Sequence, residues 1–95
     1  MASMLDEGWR LSPMVALRPE PFGALAYHFG NRKLTFLKRA ELLAVVQELD
    51  EQPDVRSALV AAGVPESQWP AFDAALRGLA DTDMIRPKSE GSGPR

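Results

Sequence analysis

The sequence has no cysteine and only one histidine, His28. Disulfides, cysteine-based zinc sites, iron–sulfur clusters and a thiol nucleophile all require cysteine sulfur, so they are excluded. The seven glycines form neither a phosphate-binding loop nor a dinucleotide-binding fingerprint, and no serine occupies a G-x-S-x-G elbow. We interpret the neighbouring carboxylates Asp81 and Asp83 as helix capping or solvated charge. Because no catalytic set can be assembled, we predict a protein that is not an enzyme and uses no cofactor or metal.

Long apolar runs and an excess of positive charge are also lacking. The apolar stretches are far shorter than the ~20 residues needed to span a bilayer. Residues 1–10 carry Asp6, Glu7 and Arg10 in place of the apolar core of a secretory signal. The net charge is −2, whereas general nucleic-acid binders are usually strongly basic. We therefore expect a cytoplasmic domain that contacts neither a membrane nor nucleic acid.

The length of 95 residues suits one domain with one modest core. We predict an N-terminal segment over residues 1–13, a folded domain over residues 14–87 and a disordered tail over residues 88–95. The tail is predicted from its serine, glycine, proline and charged residues, which cannot form a packed core.

The first third of the folded domain alternates large apolar residues with small or polar ones, a period of two that is typical of strands. It predicts strands over residues 14–18, 23–29 and 32–37, with Gly30-Asn31 as a two-residue hairpin turn.

This turn pairs Leu25 with Phe36 and Tyr27 with Leu34, and cross-strand partners share a face of the sheet. One face of the hairpin is therefore apolar, and we expect the helices to cover it. We expect His28 to be an ordinary exposed residue of the opposite face. The predicted apolar face consists of Leu25, Tyr27, Phe29, Leu34 and Phe36, and the opposite face of Ala26, His28, Lys33 and Thr35.

Apolar residues at helical spacing predict three helices, over residues 38–49, over residues 54–62 and from residue 65 or 70 to Ala80. Met84-Ile85 is expected to form either a short closing strand or an apolar plug. The order of elements predicts an α+β fold of winged-helix character, with a three-stranded antiparallel sheet followed by three helices.

A winged-helix layout also suits a DNA-binding transcriptional regulator, which is the main alternative function. A recognition helix should present several Arg, Lys, Asn or Gln side chains to a DNA groove. The third predicted helix offers Gln68 and Arg77 but places Asp73 against them. The mixed charge on this face of the helix would repel DNA phosphates about as much as attract them. A further alternative is a subunit or stabiliser of an unrelated enzyme, without a role in peptide binding.

The third predicted strand leaves one edge of the sheet open. It contains no proline and begins with two cations, Arg32 and Lys33. Lysine at an edge commonly prevents unwanted strand pairing. An open edge also suits β-augmentation, in which an extended peptide adds as a further strand. The residues by themselves favour neither interpretation.

The run RPEPFGALAYHFGNRKLTFLK, residues 18–38, closely resembles the peptide chaperones of mycofactocin biosynthesis, and the likeness extends from about Trp9 to Ile85. These belong to the peptide-recognition elements of ribosomally made, modified peptides and are similar to the small chaperone of pyrroloquinoline quinone biosynthesis. The resemblance implies that the leader of a precursor peptide pairs with the third strand and lies in a groove against the third helix.

The same resemblance implies the partners and the site. The partners would be the mycofactocin precursor peptide and a radical S-adenosylmethionine (SAM) maturase, and a homodimer is left open. The leader in this family is acidic with interspersed aliphatic residues, so cations and apolar side chains would bind it. The strand residues of the site would be Arg32, Lys33, Leu34, Thr35, Phe36 and Leu37. Helical spacing adds Trp69, Phe72, Asp73, Leu76, Arg77 and Ala80, although the core interpretation is favoured over the groove for Phe72 and Leu76.

Overall fold

A computed structural model describes residues 4–88 and has the predicted α+β architecture, with a three-stranded antiparallel sheet followed by three helices. Two further short strands near the ends of the described chain pair with each other. In chain order the strands and α-helices are β1 (Trp9–Leu11), β2 (Val15–Glu20), β3 (Gly23–His28), β4 (Leu34–Leu37), α1 (Ala40–Leu49), α2 (Val55–Ala61), α3 (Trp69–Asp81) and β5 (Ile85–Pro87).

The pairing of β3 with β4 in the main sheet (order β2-β3-β4) has the predicted register. Leu25 lies opposite Phe36, and Tyr27 lies opposite Leu34. A shift by one residue would have placed the apolar residues of the two strands on different faces, so the alternation in the sequence specified this register.

The turn between β3 and β4 is longer than the predicted Gly30-Asn31 pair. The N–H of Arg32 donates to the carbonyl of His28 over 2.8 Å, and Arg32 adopts a left-handed φ of 65°. The strand therefore begins only at Leu34, and Arg32 and Lys33 belong to the turn, contrary to the prediction.

The prediction that the helices cover the apolar face of the hairpin is wrong. They pack on the opposite face, where Ala24 and Ala26 are 0% and 2% exposed, while Phe29, Leu34 and Phe36 are 59%, 53% and 55% exposed. We call the uncovered surface the outer face. It consists of the strand residues Ala16, Leu25, Tyr27, Leu34 and Phe36 together with Met14, Phe22 and Phe29 from the adjoining turns.

The physical reason for this inversion is the size of the inner-face side chains. Ala24 and Ala26 leave room for α1 to approach β3 closely, and the helices then supply most of the large side chains that fill the core. The large core residues from the helices and the segment that follows them are Leu42, Val45, Val46, Leu49, Val55, Leu59, Trp69, Phe72, Leu76, Leu79, Met84 and Ile85.

The prediction that His28 is exposed is also wrong, since this residue is 4% exposed on the inner face. Its Nδ1 accepts the backbone N–H groups of Gly30 (2.9 Å) and Asn31 (3.0 Å), so this nitrogen carries no proton. The opposite ring nitrogen, Nε2, donates to the carboxylate of Asp83 over 2.8 Å. His28 thereby closes the hairpin turn and ties it to the chain that follows α3.

The described part of the N-terminal segment packs on the domain. Leu11 of β1 lies opposite Ile85 of β5, and Met4 is 3% exposed within the core. Ile85 opens the predicted closing strand, whereas the preceding Met84 is fully buried. Of the predicted tail, residues 89–95 lie outside the described residues, so their disorder stays a prediction.

Local signals set the ends of the helices. Asp54 caps α2 by accepting the N–H of Ser57 over 2.8 Å. Pro70 occupies the first turn of α3, where a missing N–H costs no intrahelical hydrogen bond. The indole N–H of Trp69 donates to the carbonyl of Val64 over 3.1 Å and anchors this end of α3.

Candidate functional site

The strand β4 forms one edge of the main sheet, and no strand in residues 4–88 pairs with its far side. The N–H of His28 donates to the carbonyl of Lys33 over 2.9 Å, which fixes the phase of the ladder. Because backbone groups alternate along an antiparallel strand, Thr35 directs its N–H and C=O toward β3. Leu34 and Phe36 direct theirs away from the sheet, where a further strand can reach them.

The opposite edge, β2, is less suited to a further strand. The N–H of Phe29 donates to the carbonyl of Met14 over 2.8 Å, and the same alternation places Pro19 at an outward position. Proline has no N–H to donate, so it blunts this edge. The two edges therefore differ, and β4 is the one with its outward donors intact.

A groove of about 320 Å³ lies next to the β4 edge, between this edge and α3. Ala71 and Ala75 lie one turn apart on α3, and their small side chains leave space beside Phe72. The groove is mainly apolar, with two cations from the connection between β4 and α1. Its lining residues are Phe36, Lys38, Arg39, Leu42, Ala71, Phe72 and Ala75.

Arg39 is held in place at the wall of this groove. Its guanidinium lies 5.5 Å from the centroid of the Phe72 ring, a cation–π arrangement, and donates to the side-chain oxygen of Gln68 over 3.1 Å. An arginine fixed in this way presents its remaining N–H groups in one place, so it suits a carboxylate ligand.

The predicted strand residues do not all lie at the edge surface. Leu37 is 1% exposed and belongs to the core, whereas Thr35 is half-buried. Arg32 and Lys33 are exposed in the turn before β4, and none of the salt bridges found within residues 4–88 involves either of them. Their positive charge is therefore available to a ligand.

Among the predicted helix residues, only Phe72 lines the groove. Trp69 and Leu76 are 8% and 0% exposed and pack in the core. Arg77 forms a salt bridge of 2.9 Å with Asp73 one turn earlier, and the hydrogen bond to Asp73 raises the pKa of Arg77. Ala80 is half-buried near the end of α3 and does not line the groove.

Sequence reasoning missed five of the lining residues, namely Lys38, Arg39, Leu42, Ala71 and Ala75. Part of the signal was present, because Ala71 and Ala75 flank Phe72 at spacings that put all three on one side of a helix. The two cations directly follow the third strand, where a chain leaving the sheet edge must pass the groove. Only the packing of α1 against β4 brings Leu42 there.

Other chemistry is not supported by the described residues. They include no group of three or more His, Cys, Asp or Glu side chains placed to hold a metal ion. No helix within residues 4–88 is long and apolar enough to cross a membrane.

The model of the peptide chaperone MftB family matches residues 8–86. The chain belongs to this family. A protein named peptide chaperone MftB from Mycobacterium tuberculosis is 55% identical over 83 residues, which are 87% of this chain and 76% of the relative. The protein of the same name from Mycobacterium ulcerans is 57% identical over 83 residues, which are 87% of this chain and 76% of the relative. The one from Mycolicibacterium smegmatis is 52% identical over 88 residues, which are 92% of this chain and 86% of the relative.

Membership of the peptide chaperone MftB family confirms the resemblance seen in the sequence. It assigns a peptide-chaperone role and no enzymatic one. No solved structure matches the chain significantly, so the likeness to winged-helix proteins stays a prediction.

Proposed function

We propose that this chain binds the leader of the mycofactocin precursor peptide as an added strand on β4 and presents the peptide to a radical SAM maturase. The observation that carries the proposal is a free strand edge next to an apolar groove with cations at its wall.

The backbone of the leader would supply most of the affinity. The outward N–H and C=O groups of Leu34 and Phe36 would form ladder hydrogen bonds with it, and these bonds demand little of the peptide sequence. Side chains of the added strand alternate in direction. One set would enter the groove beside Phe72, and the other would extend the outer face beside Leu34.

The charge around the edge supports an acidic leader. Arg32 and Lys33 precede β4, and Lys38 and Arg39 follow it. Carboxylates spaced along an extended peptide would meet cations at both ends of the strand. Ordering a flexible leader costs a few kcal/mol or more, so groove burial and these charges must add to the backbone hydrogen bonds.

The decisive test compares two substitutions at one position. Leu34→Pro and Leu34→Ala remove the same exposed side chain, but only proline removes the outward N–H. We expect Leu34→Pro to weaken binding of a fluorescently labelled leader peptide by about 5- to 10-fold relative to Leu34→Ala, the contribution of one hydrogen bond. Fluorescence anisotropy titration measures both affinities, and circular dichroism checks that both variants are folded.

Equal affinities of the two variants would show that the leader does not pair with this edge. Absence of leader binding by the unsubstituted protein would overturn the proposal as a whole. The presentation step has its own readout, because omitting this chain should slow modification of the precursor by the maturase.

A further inference from the structure

The outer face of the sheet is an apolar surface that the fold leaves uncovered. Six large hydrophobic residues are exposed in residues 4–88, and five of them belong to this face. The sixth, Val60, lies on α2. The exposed fractions are 41% for Met14, 49% for Phe22, 59% for Phe29, 53% for Leu34 and 55% for Phe36.

These side chains form connected groups rather than isolated exposures. The rings of Tyr27 and Phe29 meet edge to face with their centroids 5.1 Å apart, and those of Phe22 and Phe36 lie 5.9 Å apart. Three strands of this length present a sheet face of roughly 300 Å², and large apolar side chains grouped on an exposed face often mark an interaction site.

The border of the outer face is positively charged. Residues 14–39 contain five cations and one carboxylate, whereas the remaining described residues have a net charge of −6. Arg18, whose side chain is 79% exposed and forms a salt bridge of 3.0 Å with Glu20, lies beside Leu25 in the sheet, and Arg32 lies in the turn after Phe29. A complementary surface would have an apolar centre and an acidic border.

The leader peptide cannot cover this surface as an added strand. A strand lies about 4.8 Å from its neighbour, so a peptide on β4 would reach Leu34 and Phe36. Met14, Tyr27 and Phe29 would remain exposed on the other strands and turns. Covering them requires a partner with a surface of its own.

A second copy of the chain also fits poorly. Two outer faces packed together would oppose two regions of the same positive charge, including Arg18 and Arg32 of both copies, which is unfavourable. The acidic helices of a second copy would complement the face, but such head-to-tail contacts build rings or open filaments rather than a two-fold dimer, the commonest oligomer.

We propose that the outer face is the docking surface for a folded protein with an apolar, acid-bordered surface, and that this protein is the peptide-modifying maturase. The identity of the partner rests on the proposed function. The chain would then use two adjoining surfaces, the β4 edge for the leader and the outer face for the enzyme.

The test measures two affinities for each variant, one for the labelled leader peptide and one for the reconstituted maturase holoenzyme. Phe29→Ser removes an exposed ring from the turn after β3, at a residue whose backbone pairs with Met14 rather than with β4, and Ala16→Glu places a carboxylate on this face, directly opposite Tyr27. We expect each to weaken maturase binding by about 10-fold or more, as at the centre of an interface. Leader affinity should stay within about twofold, because a leader strand on β4 would reach neither Phe29 nor Ala16.

Val60→Ser is the matched control, since it removes an exposed apolar side chain from the helical side and should change neither affinity. Leu34→Pro should weaken leader binding relative to Leu34→Ala, whereas these two variants, which lack the same outer-face side chain, should bind the maturase equally. The inference is overturned if the maturase does not bind the unsubstituted chain, or if Phe29→Ser and Ala16→Glu leave its affinity unchanged. It is also overturned if sedimentation shows self-association that these substitutions abolish. Failure of leader binding alone would instead count against the proposed function.

Discussion

At the scale of single residues, Asp83 accepts side-chain hydrogen bonds from two other residues. Its two carboxylate oxygens accept from Nε and Nη2 of Arg86, both at 3.0 Å, and one of them also accepts from His28. The hydrogen bonds from Arg86, and then the one from His28, hold the pKa of Asp83 below its ordinary value of 3.8. The carboxylate therefore stabilises the folded state only while it is ionised.

We expect Asp83→Asn to lower the free energy of unfolding at neutral pH by about 1 kcal/mol, a modest value because the carboxylate is partly exposed. Asparagine tolerates the left-handed φ of 63° at this position, so backbone strain should not contribute. Because the pKa of Asp83 is lower in the folded state than its ordinary value of 3.8, the carboxylate gives its full stabilisation at pH values above 3.8. This stabilisation is lost as the pH falls below 3.8 and through the folded pKa.

Chemical denaturation from pH 7 to pH 2 measures this effect, and the difference between Asp83→Asn and the unsubstituted protein should vanish at the acid end. Asp81→Asn is the control, because it removes the same charge from an exposed residue two positions away. The same loss of stability in both variants would show that the contacts with Arg86 and His28 do not stabilise the fold.

The roles of His28 and Asp83 could not have been predicted from local pattern. The two residues lie 55 positions apart, and the alternation in β3 indicates only that His28 shares a face with Ala26. Whether this face is buried depends on what packs against it. The buried imidazole is satisfied because the turn supplies two N–H groups and the chain after α3 supplies the carboxylate of Asp83.

At the scale of elements, Gly23 sets how closely β3 approaches the end of β4. Its φ is 145°, and a Cβ at this position would lie 1.9 Å from the carbonyl oxygen of Leu37. No side chain fits there without separating the two strands. The glycine therefore positions the edge to which the leader is proposed to bind.

We expect Gly23→Ala to lower the free energy of unfolding by about 2 kcal/mol or more, through overpacking and backbone strain. Gly78→Ala in α3 has nothing within 4 Å of the added Cβ, and it should raise stability by about 0.5–1 kcal/mol through helix propensity. Urea denaturation of the two variants checks both signs. A stabilising Gly23→Ala would contradict the close approach.

The elements themselves could largely be predicted from the sequence. The hairpin register followed from alternation, and the cap at Asp54 followed from residue type. The pairing of β1 with β5 was missed, because Trp9 and Pro87 lie far apart in the sequence and three-residue strands give little alternation to detect. The resemblance implied a groove between the third strand and the third helix. Most of the residues that line it could not be predicted, because they depend on how α1 and α3 pack against β4.

At the scale of the whole molecule, positive and negative charge are concentrated in different parts of the chain. The sheet region over residues 14–39 has a net charge of +4, although the complete chain has −2. A total charge therefore hides a basic surface beside the β4 edge. A basic surface could attract either an acidic peptide or DNA. These two kinds of binding differ in their dependence on salt, so a salt titration distinguishes them.

We expect leader affinity to fall by about 10-fold or less between 50 and 500 mM NaCl, because screening weakens the charges but not the ladder or the apolar contacts. Binding to DNA through several phosphates would fall by about 1,000-fold or more. Lys38→Gln should reduce both the affinity for the leader and its salt dependence. Glu51→Gln, an exposed residue after α1, should alter neither. A DNA-like salt slope would favour the regulator alternative.

The sequence by itself excluded sites that need cysteine sulfur. It also determined which residues share each face of the hairpin and, through its resemblance, the family. These properties follow from residue identity and local periodicity. Tertiary structure decided which hairpin face the helices cover, and thus whether Phe29 lies in the core or on a docking surface. Hydrophobic pattern alone favoured the larger side chains for burial. The helices supply large side chains of their own and pack closely against Ala24 and Ala26, so close packing between layers buried the smaller face and left the aromatic one outside.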